Sequence, residues 1–267
     1  MSQGINQTPT SLAEALLATH GIICAVGAGG KKSTLYQLLA DATGRVGFTA
    51  TAMTTTPPRR RFDARFFAEP EALEAEIPLA AQTHQRIAYA CPSEKSGRVA
   101  GLPPALIADL HKKGGFNLTL VKADGARMRG IKAPRPDEPL IVPGCTTVIF
   151  VVSAHVIGQP LSEEIAHRVP ILEARLGIQA GASLTPTHIG RLLSHPQGAW
   201  QGVGKSQLVT LINQVDNAER YNLAMAAAQA ALQGENPPAR VVLGSMTAAQ
   251  PLIDIVEATP KKADSLV

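Results

Sequence analysis

The residues best suited to chemistry form a glycine-rich stretch at positions 27–34, GAGGKKST, which follows an apolar run and precedes a helical pattern. Glycines allow backbone N–H groups to turn towards one ligand, and the N-terminus of the following helix carries a partial positive charge. A lysine at the start of that helix contacts the terminal phosphates in loops of this kind. The stretch therefore predicts a phosphate-binding loop for a nucleoside triphosphate, either GTP or ATP.

The spacing of this loop departs from the usual pattern at one position. With Lys31 as the phosphate lysine, Lys32 occupies the place of the hydroxyl that normally binds Mg²⁺. Ser33 is next, but one helical step turns a side chain by about 100°. A slip by one residue would instead make Lys32 and Ser33 the lysine–hydroxyl pair. We favour Lys31, because Gly30 then stands in the tight turn. The residues predicted to contact the nucleotide are Gly27, Ala28, Gly29, Gly30, Lys31, Lys32, Ser33 and Thr34.

A carboxylate for the metal is predicted at the end of another strand, NLTLVKAD, which finishes at Asp124. Mg²⁺ prefers oxygen ligands and is held in such sites by few protein groups. Ser33 and Asp124 are therefore the predicted Mg²⁺ ligands. Three basic residues follow at positions 127, 129 and 132, and they are candidates for contact with phosphates or an anionic substrate, or else solvated loop residues.

Two further strand ends carry polar side chains. The stretch TTT at positions 54–56 follows an apolar run, and Thr55 is a candidate catalytic residue beside the terminal phosphate. The stretch LVTLINQVDN places Asn213 and Asp216 after a late strand, in a spacing similar to the guanine-reading motif of GTPases. Gln214 stands where that motif usually has a lysine, so the residues leave GTP and ATP open.

A second stretch, AWQGVGKS at positions 199–206, fits the formal phosphate-loop spacing better than residues 25–33 do. It precedes an apolar strand instead of following one, and no helical pattern begins at Ser206. Without a helix N-terminus there are no converging N–H groups to bind a phosphate. We therefore interpret this stretch as a turn.

Composition excludes several classes of protein. The 267 residues are 45% hydrophobic and 17% charged, which is typical of a globular chain. The net charge is +4, but the densest basic cluster, at positions 57–65, has no accompanying nucleic-acid motif, so an anionic ligand or solvated loop is favoured over nucleic acid. No apolar run approaches about 18 residues, which argues against a membrane span. The three scattered cysteines suit a reducing compartment, and we expect a cytoplasmic protein.

Seven apolar runs alternate with helical patterns along the chain, and several runs are continuously apolar. Such runs are typical of parallel strands covered on both faces. The pattern predicts an α/β fold with a doubly wound, mostly parallel sheet of the P-loop NTPase type. Residues 155–205 contain two helical patterns in succession. We interpret them as a helical insertion or lid within a single domain that spans residues 1–267.

Five stretches in this order resemble the YqeC family: VGAGGKKST, TTTPP, KADGARMRGIKAP, TPTHIGRLLSHPQG and INQVDN. The resemblance runs from about Gly21 to Val242. It implies a P-loop protein that assists the maturation of a selenium-dependent molybdenum hydroxylase or of its cofactor. That hydroxylase, or another of its maturation proteins, is then the expected partner. Lys32 and Gln214 depart from the family pattern, which usually has threonine and lysine there.

Three functions follow as hypotheses. The first is an NTPase whose hydrolysis drives the transfer or insertion of a cofactor, and we favour this one. The second is an ATP-dependent ligase of the Mur type, in which short Gly-x-x-Gly-Lys loops also occur. That ligase would need a separate domain for its amino substrate, and the chain is short for one. The third is an adaptor that binds nucleotide without catalysis, which Lys32 in place of the hydroxyl favours.

Overall fold

Continuously apolar strands form the centre of one nine-stranded sheet in this protein, for which a computed structural model describes residues 11–258. The ends of the predicted domain, residues 1–10 and 259–267, lie outside the described residues. The helices are α1 (Leu12–Ala15), α2 (Lys31–Asp41), α3 (Pro70–Ala80), α4 (Pro104–Lys113), α5 (Val169–Leu176), α6 (Pro186–Ser194) and α7 (Ala218–Leu232). None of these helices is long and apolar enough to cross a membrane.

The strands include all seven that the sequence predicts. They are β1 (Gly21–Gly27), β2 (Val46–Ala50), β3 (Thr54–Thr55), β4 (Ala64–Phe67), β5 (Arg86–Ala90), β6 (Arg98–Val99), β7 (Leu118–Lys122), β8 (Ile131–Lys132), β9 (Cys145–Ser153), β10 (Ala166–His167), β11 (Gln207–Asn213), β12 (Arg240–Gly244) and β13 (Leu252–Glu257). The large sheet has the order β13-β12-β11-β9-β1-β7-β2-β5-β4. Every pairing in it is parallel except that of β12 with β13.

Helices cover both faces of the sheet, which explains why its central strands are apolar throughout. In β1, Ile22 and Ile23 point to opposite faces because side chains alternate along a strand. The face of Ile23 packs against α1 and α2, and the face of Ile22 packs against α3 to α7. The predicted α/β fold with a mostly parallel sheet covered on both faces is confirmed.

The chain changes direction at the centre of the sheet. From β1 it passes through α2 to β2 on one side, whereas from β9, the neighbour of β1 on the other side, it leads to β11. The loops that follow β1 and β9 therefore diverge. In open α/β sheets, ligands bind in the crevice that such a divergence leaves at the carboxyl ends of the strands.

The helical segment between β9 and β11 contains α5 and α6, the two successive helices that the sequence predicts for positions 155–205. Leu172 of α5 and Ile189 of α6 are buried in the same apolar core as Val148 of β9. In α6, Gly190 lies directly against α7, so that a Cβ there would be 2.5 Å from the Cβ of Ala230. These helices are therefore packed into the core of the sheet, and a lid function remains a prediction.

The contact between α6 and α7 generates a prediction about stability. Gly190→Ala improves helix propensity by about 1 kcal/mol, but the added methyl group clashes with Ala230. Overpacking of this kind costs about 1–3 kcal/mol, so we expect the variant to unfold at a lower urea concentration than the wild type. Thr187→Ala, on the exposed side of the same helix, is the control and should not be destabilised, since Ala is also the better helix former there. A stabilised Gly190→Ala variant would contradict the packing.

Candidate functional site

The glycine loop consists of residues 27–30, from the last residue of β1 to the residue that precedes α2. Gly29 and Gly30 have φ angles of 80° and 125°, which L side chains rarely adopt. A Cβ on Gly29 would lie 2.6 Å from the backbone nitrogen of Ser153, and one on Gly30 would lie 2.1 Å from Nδ2 of Asn213. Both positions therefore require glycine. Gly30 directly precedes the helix, as expected for the register in which Lys31 is the loop lysine.

The N-terminus of α2 is open to an anion. Lys31 is the first helical residue, and no side chain of residues 11–258 caps the helix at Gly30. The first N–H groups of a helix have no partner within it, and they carry about half a positive charge. The first turn of α2 contains no acidic residue that would neutralise this charge. The helix end therefore offers unpaired donors and positive potential in the crevice beside β9.

Asp124 connects the glycine loop to the end of β7. Its side chain is 2% exposed, and its Oδ2 accepts a hydrogen bond of 2.9 Å from the N–H of Gly27. The ammonium of Lys31, itself buried, lies 2.7 Å from Oδ1 and also donates to the Gly27 carbonyl. The ammonium of Lys132 lies 2.7 Å from Oδ2. A single carboxylate thus holds two lysines and the last residue of β1.

The ion pairs continue from Lys132 to the segment that contains α5. The ammonium of Lys132 lies 2.7 Å from Oε2 of Glu138 and donates to the Gly125 carbonyl at 2.8 Å. Arg168, immediately before α5, donates to both oxygens of Glu138 at 2.7 Å. Three cations and two carboxylates therefore alternate, from Lys31 through Asp124, Lys132 and Glu138 to Arg168. We call these five residues the charge chain, and it carries one excess positive charge.

The pKa values of groups in and beside the charge chain reflect burial and the charges around them. Burial lowers the pKa of Lys31, and Asp124 opposes the shift. Burial, followed by repulsion from Lys31, lowers the pKa of Lys122 at the end of β7 to about 8. Burial would raise the pKa of Glu138, but hydrogen bonds from Arg168 and Lys132 outweigh it and lower the pKa to about 2. The lysines are thus partly desolvated, and an added anion would stabilise their charged forms.

Lys32, the second residue of α2, contacts the loop after β2 and not the charge chain. Its ammonium donates to the hydroxyl of Thr55, and its pKa is lowered by burial and then by Arg98. Thr55 and Arg98 are paired across the short sheet of β3 and β6. Lys122 donates to the carbonyl of Met53 in the same loop at 3.1 Å. The loop after β2 is therefore held by Lys32 at the start of α2 and by Lys122 at the end of β7.

The comparisons with known proteins show to which family the chain belongs. Residues 23–170 match the model of the family described as "YqeC protein". The uncharacterized protein YqeC of Escherichia coli (strain K12) is 32% identical over 205 residues, which are 74% of this chain and 78% of that protein. No solved structure matches the chain.

The chain belongs to the YqeC family. The matched residues include the whole charge chain, from Lys31 to Arg168, together with the glycine loop and Thr55. The stretch at positions 199–206, which we interpret as a turn, lies outside the match to the YqeC model. The family assignment therefore covers the residues of the candidate site that cluster around Asp124.

Asn213 and Asp216 also lie beyond the match to the YqeC model, and the structure gives them different surroundings. Asn213 is buried, donates to the Gly29 carbonyl at 2.8 Å and accepts from the N–H of Met246 at 3.1 Å. It therefore holds the glycine loop in place. Asp216 is 37% exposed, and its pKa is lowered by hydrogen bonds from Ser245 and then His155. Asp216 lies after β11, and recognition of the nucleotide base by Asn213 and Asp216 stays a prediction.

The stretch at positions 199–206 has the context expected of a turn. Strand β11 begins at Gln207, directly after Ser206, and no helix follows. Gln207 pairs with Thr147, which pairs with Ile23 near the start of β1. Lys205 therefore lies near the amino ends of the strands, whereas the glycine loop follows their carboxyl ends. About four residues separate the two levels, or ~13 Å along a strand.

Asp124, as arranged here, does not fit a divalent cation. Each of its oxygens lies 2.7 Å from an ammonium group. Two unit charges 4 Å apart interact by roughly 4 kcal/mol at an effective dielectric constant of 20, and a divalent ion would repel each lysine about twice as strongly. No group of three His, Cys, Asp or Glu residues within positions 11–258 is placed to hold a metal ion. Ser33 is exposed on the first turn of α2, and its role as a ligand stays a prediction.

Some members of the site carried a sequence signal, and others did not. Lys122 stands two positions before Asp124. Because side chains alternate along a strand, this spacing predicts that both point to the same face of the sheet. Glu138 and Arg168 lie 14 and 44 positions beyond Asp124 in irregular segments, and no spacing pattern relates them to it. Thr51 directly follows β2, and its buried hydroxyl has no partner among the described residues. None of these four residues is among the site residues predicted from the sequence.

The charge chain generates a prediction about pH. The pKa of Glu138 falls from an ordinary value of 4.5 to about 2 in the folded protein. Its ionised form therefore stabilises the fold above about pH 4.5, and this contribution is lost as the pH falls towards 2. We expect Glu138→Gln to flatten the dependence of unfolding free energy on pH in this range, measured by urea denaturation.

The control for this experiment is Asp137→Asn, which removes an exposed carboxylate that contacts Arg135. This variant should retain the wild-type dependence on pH. Identical curves for Glu138→Gln and the wild type would show that the ion pairs of Glu138 do not form in solution.

Proposed function

We propose that this chain binds a nucleoside triphosphate, with its phosphates at the N-terminus of α2. The observation that carries the proposal is the uncapped start of α2 beside the buried ammonium of Lys31. The N–H groups at the helix start can donate hydrogen bonds to phosphate oxygens, and the excess of cations can balance the negative charge of a polyphosphate. GTP and ATP both satisfy these two requirements.

The proposed reaction is hydrolysis of the terminal phosphate, with Lys31, Asp124 and Thr55 as its catalytic residues. Lys31 would stabilise the charge on the phosphates, and Thr55 lies close to the helix start through its contact with Lys32. Ser33 and Asp124 remain the proposed ligands if Mg²⁺ takes part, and the ion would then draw charge away from the phosphate oxygens. In that case Asp124 would have to exchange an ammonium for the metal.

A second candidate is an adaptor that binds nucleotide without hydrolysing it. The arrangement of Asp124 favours it, because both carboxylate oxygens are already paired with lysines. Release of inorganic phosphate from GTP and ATP, measured with and without Mg²⁺, separates the two candidates. Steady release that depends on the protein supports the NTPase, and nucleotide binding without release supports the adaptor.

The cellular role that we propose is the maturation of a selenium-dependent molybdenum hydroxylase or its cofactor. This role rests on the resemblance to the YqeC family and on the proposed nucleotide site. Hydrolysis of the bound nucleotide would drive transfer or insertion of the cofactor. Cells that lack this chain should then lose molybdenum hydroxylase activity while the hydroxylase polypeptide is still present. Full hydroxylase activity in such cells would contradict the proposed role in maturation, but it would not contradict the proposal of nucleotide binding.

Nucleotide binding itself is tested by replacing the loop lysine. A hydrogen bond to a charged group contributes about 1.5–3 kcal/mol, so Lys31→Met should weaken triphosphate binding by about tenfold to a hundredfold. Calorimetric titrations with GTP and ATP measure the loss and also show which base is preferred. The thermal midpoint of the variant should be recorded, since Asp124 loses one of its two lysines.

Lys205→Met is the matched control, because Lys205 belongs to the stretch at positions 199–206 near the other end of the strands. It should bind nucleotide as the wild type does. Comparable losses in both variants, or a loss confined to Lys205→Met, would place the phosphates elsewhere.

A further inference from the structure

The surroundings of Asp124 are unusual for a carboxylate beside a phosphate-binding loop. Its two oxygens are buried, and together they accept the Gly27 N–H and lie against the ammonium groups of Lys31 and Lys132. The positive charge that a metal ion would bring to this position is therefore already present. It comes from two lysines that belong to the chain.

Lys132 is a fixed cation. Its side chain is 0% exposed, and its ammonium, which has three donors, meets three acceptors: Asp124 at 2.7 Å, Glu138 at 2.7 Å and the Gly125 carbonyl at 2.8 Å. Glu138 is held in turn by both nitrogens of Arg168. The position of Lys132 is thus determined by contacts on every side.

We propose that Lys31 and Lys132, both held by Asp124, replace a divalent cation at this site, so that the chain binds polyphosphates without a metal ion. The inference rests on the proposed function and deepens it. Asp124 is then a positioning residue, a counter-ion that keeps two lysines together. This role replaces the catalytic and metal-binding roles that Asp124 would have in the proposed hydrolysis. A polyphosphate at the start of α2 would interact with Lys31 directly and with Lys132 through the field of its charge.

The two roles of Asp124 predict opposite effects of the same substitution. If Asp124 binds a metal ion, Asp124→Asn removes a ligand and weakens polyphosphate binding. If Asp124 is a counter-ion, Asp124→Asn removes a negative charge from an anion site, and binding becomes tighter or stays unchanged. The asparagine has nearly the same shape and retains an oxygen that can accept the Gly27 N–H.

The experiment is a calorimetric titration of the full chain with inorganic pyrophosphate and with GTP and ATP, in EDTA and in excess Mg²⁺. We expect the wild type to bind at least one of these ligands in EDTA, and Mg²⁺ to tighten that binding by less than about threefold, which is under 1 kcal/mol. Asp124→Asn should bind in EDTA at least as tightly as the wild type. Asp109→Asn, which removes an exposed carboxylate from α4, is the matched control and should change nothing.

Each possible result either supports or overturns the inference. Binding that requires Mg²⁺, or a loss of more than about tenfold in Asp124→Asn, would overturn it and leave the proposed nucleotide site intact. Absence of binding to all three ligands in both buffers would overturn the inference and the proposed function together. If Asp124→Asn does not fold, as judged by circular dichroism, the comparison of EDTA with Mg²⁺ in the wild type still gives the answer.

Discussion

The buried contact between Lys31 and Asp124 determines the form of the candidate site. Charges removed from water are costly, and loss of one partner of a buried pair destabilises a protein by about 3–5 kcal/mol. The two residues therefore have to remain together unless a ligand replaces one of them. Lys31 begins α2 and Asp124 follows β7, so this contact fixes the glycine loop relative to the neighbouring strand. The remaining members of the charge chain extend the constraint to Arg168 and α5.

The sheet provides the frame for this contact. Parallel strands bring β1, β7, β9 and β11 to the same edge, where their loops meet. Asn213 bridges the Gly29 carbonyl and the N–H of Met246, so that β11 and β12 also hold the glycine loop. The loop is therefore supported from both sides of β1. A preorganised loop of this kind loses little conformational entropy when an anion binds.

Much of the fold follows from local sequence patterns. Runs such as IICAV and TVIFVV are apolar on both faces, which is typical of buried parallel strands. The edge strands β4 and β13 do not show this continuous apolar pattern, because they are only partly buried and carry charged residues such as Arg65 and Asp254. Helix α3 contains Pro78 in its interior, which obscures a helical pattern. The sequence analysis did not predict these three elements.

The candidate site was predictable to a smaller extent. The glycine loop, Lys31 and Asp124 stand at strand ends whose position can be read from the chain, and the reversed context of residues 199–206 identified that stretch as a turn. The pairing of side chains could not be read in this way. Glu138 and Arg168 reach Lys132 through irregular segments whose course depends on tertiary packing. The consequence for Asp124, that its oxygens face lysines, is visible only in three dimensions.

Hydrogen–deuterium exchange measured with and without a bound triphosphate tests the central claim most directly, since it reports on the backbone groups that are proposed to bind the phosphates. We expect the nucleotide to slow exchange in a peptide covering residues 27–34, where the N–H groups at the start of α2 gain acceptors. Residues 199–206 should exchange at the same rate in both conditions. Unchanged exchange in residues 27–34 at a saturating concentration of a triphosphate that binds would show that the phosphates do not lie at the start of α2.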